Sequence, residues 1–164
     1  MEGREGFEAA VAIYRMVHES LRREIEGLDE DALNWRPRAE TNSIAILVTH
    51  IVGSEREVLE LGSGHESSRD RPAEFLVTVG SAGDLLRLLD RADEFLESTT
   101  RTASEEALLT RRERGGRVET VLRWMVWNAS HAREHLGQVS LIRQLYMTGA
   151  TPTSDGGRVI YLPG

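Results

Sequence analysis

The sequence predicts an all-α fold, a four-helix bundle with long inter-helix connections, and three observations carry that expectation. Four long segments repeat their apolar residues with the helical period, no segment alternates convincingly, and glycine, proline and hydroxyl residues punctuate the gaps. Amphipathic helices in a chain of 164 residues have to bury their stripes against one another, which makes a bundle the economical architecture. That length, with 40% hydrophobic residues, fits one domain spanning 1–164.

The first helix is expected from about Phe7 to Glu26, with Phe7, Ala10, Val11, Tyr14, Val17, Leu21 and Ile25 on one stripe and Gly27 as its stop. An acidic turn, Asp29-Glu30-Asp31, leads into Leu33-Asn34-Trp35-Arg36-Pro37, where the proline opposes further helix. Thr41-Asn42-Ser43 offers N-cap groups to a second helix that runs to Gly62. The stretch from Gly62 to Pro72 is rich in glycine, serine and charge and reads as a loop. It is too long for a minimal hairpin, so a crossover or a decorated loop is expected between the second and third helices.

Ser81 with Asp84 resembles a capping box opening the third helix, whose stripe is Leu85, Leu86, Leu89, Ala92 and Leu96. Glu105 to Leu109 reads as a short helical turn and Arg114-Gly115-Gly116-Arg117 as a break. The fourth and longest helix is expected from about Glu119 to Met147, and Arg158-Val159-Ile160-Tyr161 as a terminal extended piece.

Composition narrows the chemistry. The chain has no cysteine and no lysine, so all 20 basic residues are arginines. Disulfides, thiolate zinc sites, iron–sulfur clusters, a cysteine nucleophile and lysine Schiff bases are therefore excluded. A net charge of −7 with scattered arginines argues against nucleic acid as a partner. No apolar run approaches the ~20 residues of a bilayer span, and the N-terminus lacks a signal-peptide core. The expectation is a cytoplasmic protein with no membrane partner.

Of the five histidines, His131 and His135 lie four apart on the longest helix and project from one face. Counting 100° per residue places them on a stripe with Val121, Trp124, Trp127, Asn128, Gln138, Ile142 and Leu145, facing the core. His50 falls on the stripe of the second helix with Ser43, Ile46, Leu47, Ser54 and Leu61. Three buried imidazoles left unpaired are costly, and one divalent cation would satisfy them all. Histidine pairs at this spacing also serve as plain surface or core polarity, so spacing alone leaves both readings open. His18, between Tyr14 and Leu21, is expected as a core-edge residue and His65 as a solvated one. Glu57, two turns beyond His50, is a poor first ligand, and Glu134 is expected to be exposed.

The order and spacing of Leu33-Asn34-Trp35-Arg36-Pro37, Asn42-Ser43-Ile44 before His50, and His131-Ala132-Arg133-Glu134-His135-Leu136-Gly137-Gln138 resemble the DinB-like superfamily of small bacterial four-helix bundles. The resemblance implies a divalent metal, zinc or nickel, held by residues matching His50, His131 and His135, and a homodimer. It also implies a transferase that uses a low-molecular-weight thiol such as bacillithiol or mycothiol, bound as thiolate at the metal, to attack an electrophilic small-molecule substrate. Trp124, Trp127 and Tyr14 are candidates to line the pocket, and Asn128 and Gln138 to orient a ligand. Two alternatives stand beside this: a hydrolase using metal-activated water at the same site, and a non-catalytic metal-binding or structural dimer.

Overall fold

The apolar stripe of the first helix is buried along its whole length, with none of its seven residues more than 3% exposed. In the computed structural model, which describes residues 2–149, this helix is α1, Glu2–Ile25. It begins further back than Phe7 because a later short helix docks on its first turns, where Arg4 donates to the Ala103 carbonyl. Gly27, with φ of +76°, takes the left-handed conformation that ends the helix.

The expected acidic turn is the start of a short helix, α2 (Glu30–Asn34), capped by the Asp29 carboxylate accepting from the Ala32 N–H at 2.9 Å. Asn34 then grips a distant strap: its amide donates to the Val79 carbonyl at 2.8 Å and accepts from the Val79 N–H at 3.0 Å. Ser43 caps α3 (Ile44–Gly62), the helix buried on most of its circumference. At the end of the expected 62–72 loop, and running past it, the chain forms a helical turn, α4 (Arg71–Glu74), started by Asp70 and Pro72. Ser81 and Asp84 form the expected cap of α5 (Ala82–Thr102), with the Asp84 carboxylate accepting from the Ser81 N–H at 2.9 Å. Ser104 caps α6 (Glu105–Leu109).

Arg111–Arg114 (β1) and Arg117–Thr120 (β2) form an antiparallel hairpin where only a break was expected. Gly115 and Gly116 both have positive φ, +59° and +78°, the backbone a two-residue hairpin turn requires. The hairpin moves the start of the last helix, α7 (Val121–Met147), slightly past Glu119, with Thr120 as its cap. The extended piece expected at Arg158–Tyr161 lies outside the described residues.

Four long helices, α1, α3, α5 and α7, make the bundle. Both α7 and α5 pack against α3 and against α1, so α1 stands diagonal to α3, and α5 to α7. The diagonal crossings are therefore α1 to α3, carrying α2, and α5 to α7, carrying α6 and the hairpin. The α3-to-α5 link, where a crossover or a decorated loop was expected, joins neighbours and takes the decorated form. Among the described residues no helix is long and apolar enough to cross a membrane.

His18 is not at the core edge: it is 0% exposed. Its Nε2 lies 2.8 Å from Glu55 Oε2 and its Nδ1 2.7 Å from Asp93 Oδ1, so the imidazolium donates to both carboxylates. Burial by itself would lower its pKa, but the hydrogen bonds and charges of Asp93 and Glu55 outweigh that and raise it from 6.5 to about 9. A pKa raised on folding contributes stability that is complete below 6.5 and is lost as pH climbs through 9. Urea unfolding of the wild type is expected to show a loss on the order of 3 kcal/mol between about pH 6 and pH 9.5. Equal stability at both ends would refute the ion pairing of His18.

Candidate metal centre

Contact between α3 and α7 brings together the three histidines singled out by spacing. Ala129 and Ala132 on α7, beside His131 in the sequence, are both buried. His131 Nε2 lies 3.2 Å from His50 Nε2 and 3.2 Å from His135 Nε2, and one nitrogen from each ring falls within 4.8 Å of the others. The rings meet edge to face, His131 and His135 with centroids 4.2 Å apart.

The histidines do not face the middle of the core. The buried arc of α7 runs through Trp124, Met125, Asn128, Ala129, Ala132 and Val139, so it is turned relative to the stripe counted from sequence. His50 is buried, but His131 and His135 are half-buried at the edge of that arc, and Trp127 and Gln138 are exposed. The reason is that α7 is wedged between α3 and α1, and its mainly apolar arc takes the contact while His131 and His135 sit where that arc gives way to a cleft.

Partners on the far side of two rings orient them. His50 Nδ1 donates to Glu74 Oε2 at 2.8 Å, and His135 Nδ1 to Gln138 Oε1 at 2.8 Å. A proton on Nδ1 leaves the Nε2 lone pair free, so two lone pairs point at His131 Nε2. Burial lowers the pKa of His50, with Arg69 and His135 adding to the effect against Glu74. Burial and the neighbouring His135 and His50 take His131 from 6.5 down to about 4. Imidazoles with converging Nε2 atoms are a donor set that fits one divalent cation, since a single proton on His131 cannot serve both neighbours fully.

Glu74 lies just beyond the stretch read as loop from the sequence, in a segment that carried no expectation of its own. Arg69 grips its carboxylate at both oxygens, Nε to Oε1 at 2.6 Å and Nη2 to Oε2 at 2.8 Å, and also donates to Glu57 at 2.9 Å. Arg114, delivered by the hairpin, donates to the same Glu57 oxygen at 2.6 Å and to Ser54 Oγ at 3.2 Å. Glu57 thus binds arginines, in keeping with its exclusion as a first ligand. Gly53 makes room for this arrangement, because a Cβ there would collide with Glu74 Oε1.

A cleft of about 290 Å³ opens beside His50 and His131, lined in part by Arg69, Arg71, Arg114, Trp124, Trp127 and Asn128. Trp124 and Trp127 pack edge to face, 5.3 Å between centroids, and Phe75 lies 5.2 Å from the His50 ring. Asn128 spends its polar atoms inside the wall, donating to Ser54 Oγ at 2.6 Å and accepting from Tyr14 Oη at 3.0 Å. Tyr14 stands behind that wall, fully buried, and also donates to the Met125 carbonyl. His65 and Glu134 are exposed, as expected.

The model of the DinB superfamily matches residues 13–139, which include all three histidines and every long helix in whole or large part. The chain belongs to the DinB superfamily. A crystal structure of a DinB-like protein from Bacillus cereus shares the fold with a TM-score of 0.68 at 17% identity, over 90% of this chain and 95% of that one. No curated protein matches the chain. Membership in the DinB superfamily and the three-histidine cluster together are consistent with a metal-dependent enzyme.

Proposed function

We propose that this DinB superfamily member is a metal-dependent transferase that activates a low-molecular-weight thiol for attack on an electrophilic small molecule. The observation that carries the reading is the meeting of three imidazoles at the edge of an open cleft rather than inside a sealed core. A divalent metal held by His50, His131 and His135 would stabilise a bound thiol in its deprotonated form near neutral pH. The chain's own residues do the rest. Glu74 and Gln138 hold the His50 and His135 rings with Nε2 unprotonated, and Trp124 and Trp127 offer an apolar wall that excludes water from one side of the cleft.

With no cysteine in the chain, the sulfur must come from a separate molecule. Zinc or nickel as the metal, bacillithiol or mycothiol as the thiol, a cytoplasmic setting and a homodimer complete the proposal. Metal-loaded protein supplied with a panel of cellular thiols and a generic electrophile is expected to accelerate conjugation with at least one thiol. Failure with every thiol, metal being present in the site, would overturn it.

The support given by Glu74 has its own test. Glu74→Gln weakens the hold on His50 directly, and Gly53→Ala does so by displacing the carboxylate. Each is expected to lower metal affinity about 10- to 100-fold in chelator competition. Wild-type affinity in both variants would show that Glu74 does not position the ring.

A further inference from the structure

The cleft beside the histidines has an imbalance of charge. Three arginines, Arg69, Arg71 and Arg114, line it. Two are committed: Arg69 to Glu74 and Glu57, Arg114 to Glu57 and Ser54. Arg71 has no carboxylate partner among the described residues, because the neighbouring Asp70 carboxylate accepts from the Ala73 N–H and Glu74 is taken by Arg69 and His50. What holds Arg71 is a ring: its guanidinium sits 5.2 Å from the centroid of Phe75, whose own centroid is 5.2 Å from that of His50. One aromatic side chain therefore ties the uncommitted cation to the rim next to the histidine cluster.

Two carboxylates against three guanidiniums leave one guanidinium in the wall without a carboxylate partner. Guanidinium is a rigid fork that suits planar carboxylate, and a cleft lined by one sign of charge concentrates the opposite ion. We propose that Arg71 binds a carboxylate on the small molecule that enters this cleft, so that the thiol accepted here is an acidic one. The planar fork of one guanidinium matches the two coplanar oxygens of a carboxylate better than a tetrahedral phosphate. The inference rests on the thiol reading above for the identity of the molecule, while the anion site itself stands on the arginines alone.

The test uses the full zinc-loaded chain and calorimetric titration with mercaptosuccinate, neutral 2-mercaptoethanol, succinate and inorganic phosphate. Mercaptosuccinate is expected to bind about tenfold or more tighter than 2-mercaptoethanol, from the added charge-assisted hydrogen bonds. In Arg71→Gln that ratio is expected to collapse toward one, and in Arg71→Lys to recover in part. A ratio near one in the wild type, or a preference untouched by Arg71→Gln, overturns the proposal, and phosphate binding as tightly as succinate overturns the preference for carboxylate. If no thiol binds but succinate does so through Arg71, the thiol reading fails and the anion site stands. If the thiols bind alike and succinate does not bind, the anion site fails and the thiol reading stands.

Discussion

Replacing His131 by alanine is expected to strip the protein of stoichiometric metal. His131 is the hub of the cluster, since its Nε2 is the one that lies 3.2 Å from both other ring nitrogens. Its loss leaves two imidazoles on different helices, each pinned by a partner on its far side and unable to move together. Loss of a supporting partner alone lowers affinity about 10- to 100-fold, so loss of a ligand is expected to exceed about 100-fold. Elemental analysis after dialysis, and the visible spectrum of the cobalt-substituted protein, would read this out for His131→Ala beside His50→Ala and His135→Ala. Full metal content in His131→Ala would remove the site assignment. The fold is expected to survive, because the half-buried ring contributes little to the core.

The second large effect lies away from the cleft. His18→Leu is expected to destabilise the protein by about 3–5 kcal/mol, because it leaves the Glu55 carboxylate buried without its cation. For a chain of this size that corresponds to a fall of roughly 6–20 °C in Tm. Glu55 is 2% exposed and its Oε1 already lacks a hydrogen-bond partner, so burial raises its pKa and water cannot make up the loss. Asp93 is 40% exposed and keeps Arg22, so it suffers less. The double variant His18→Leu with Glu55→Met removes both charges and is expected to recover most of the stability, since an apolar pair of similar volume is often as good as a buried ion pair. Thermal melts of the single and double variants separate the cost of an orphaned charge from the net worth of the pair. A single variant within about 1 kcal/mol of wild type would refute the account.

The helices were legible because their signals are local. Ser81 with Asp84, Ser43 before Ile44 and Gly27 after Ile25 act within one turn of themselves, and each does in the structure what its residue type favours. The histidine pair on α7 is legible for the same reason, being fixed by helical geometry. Where reading stopped short, the cause is physical. Arg111–Thr120 forms a hairpin whose strands hold a single apolar residue, Val118, so no polar and apolar alternation marks them, and only the Gly115-Gly116 turn signals it.

Other features required distant partners. His18 shows as one more member of a helical stripe, while the carboxylates that make it a buried cation lie 37 and 75 residues away. Glu74 and Arg69 sit in a segment with no periodicity, and their roles exist only once α4 folds back onto α3.

The amino-acid sequence by itself determined the all-α class, the four long helices, the family resemblance and the pairing of His131 and His135 on one helix face. These follow from period, caps and residue type, which act over a few residues. The tertiary structure alone decided which helices are diagonal, that α7 turns its histidines to a cleft edge, and that Glu74 and three arginines stand around them. Those outcomes depend on how close two helix backbones can come and on which charges find one another across the bundle, and neither is encoded by spacing along the chain.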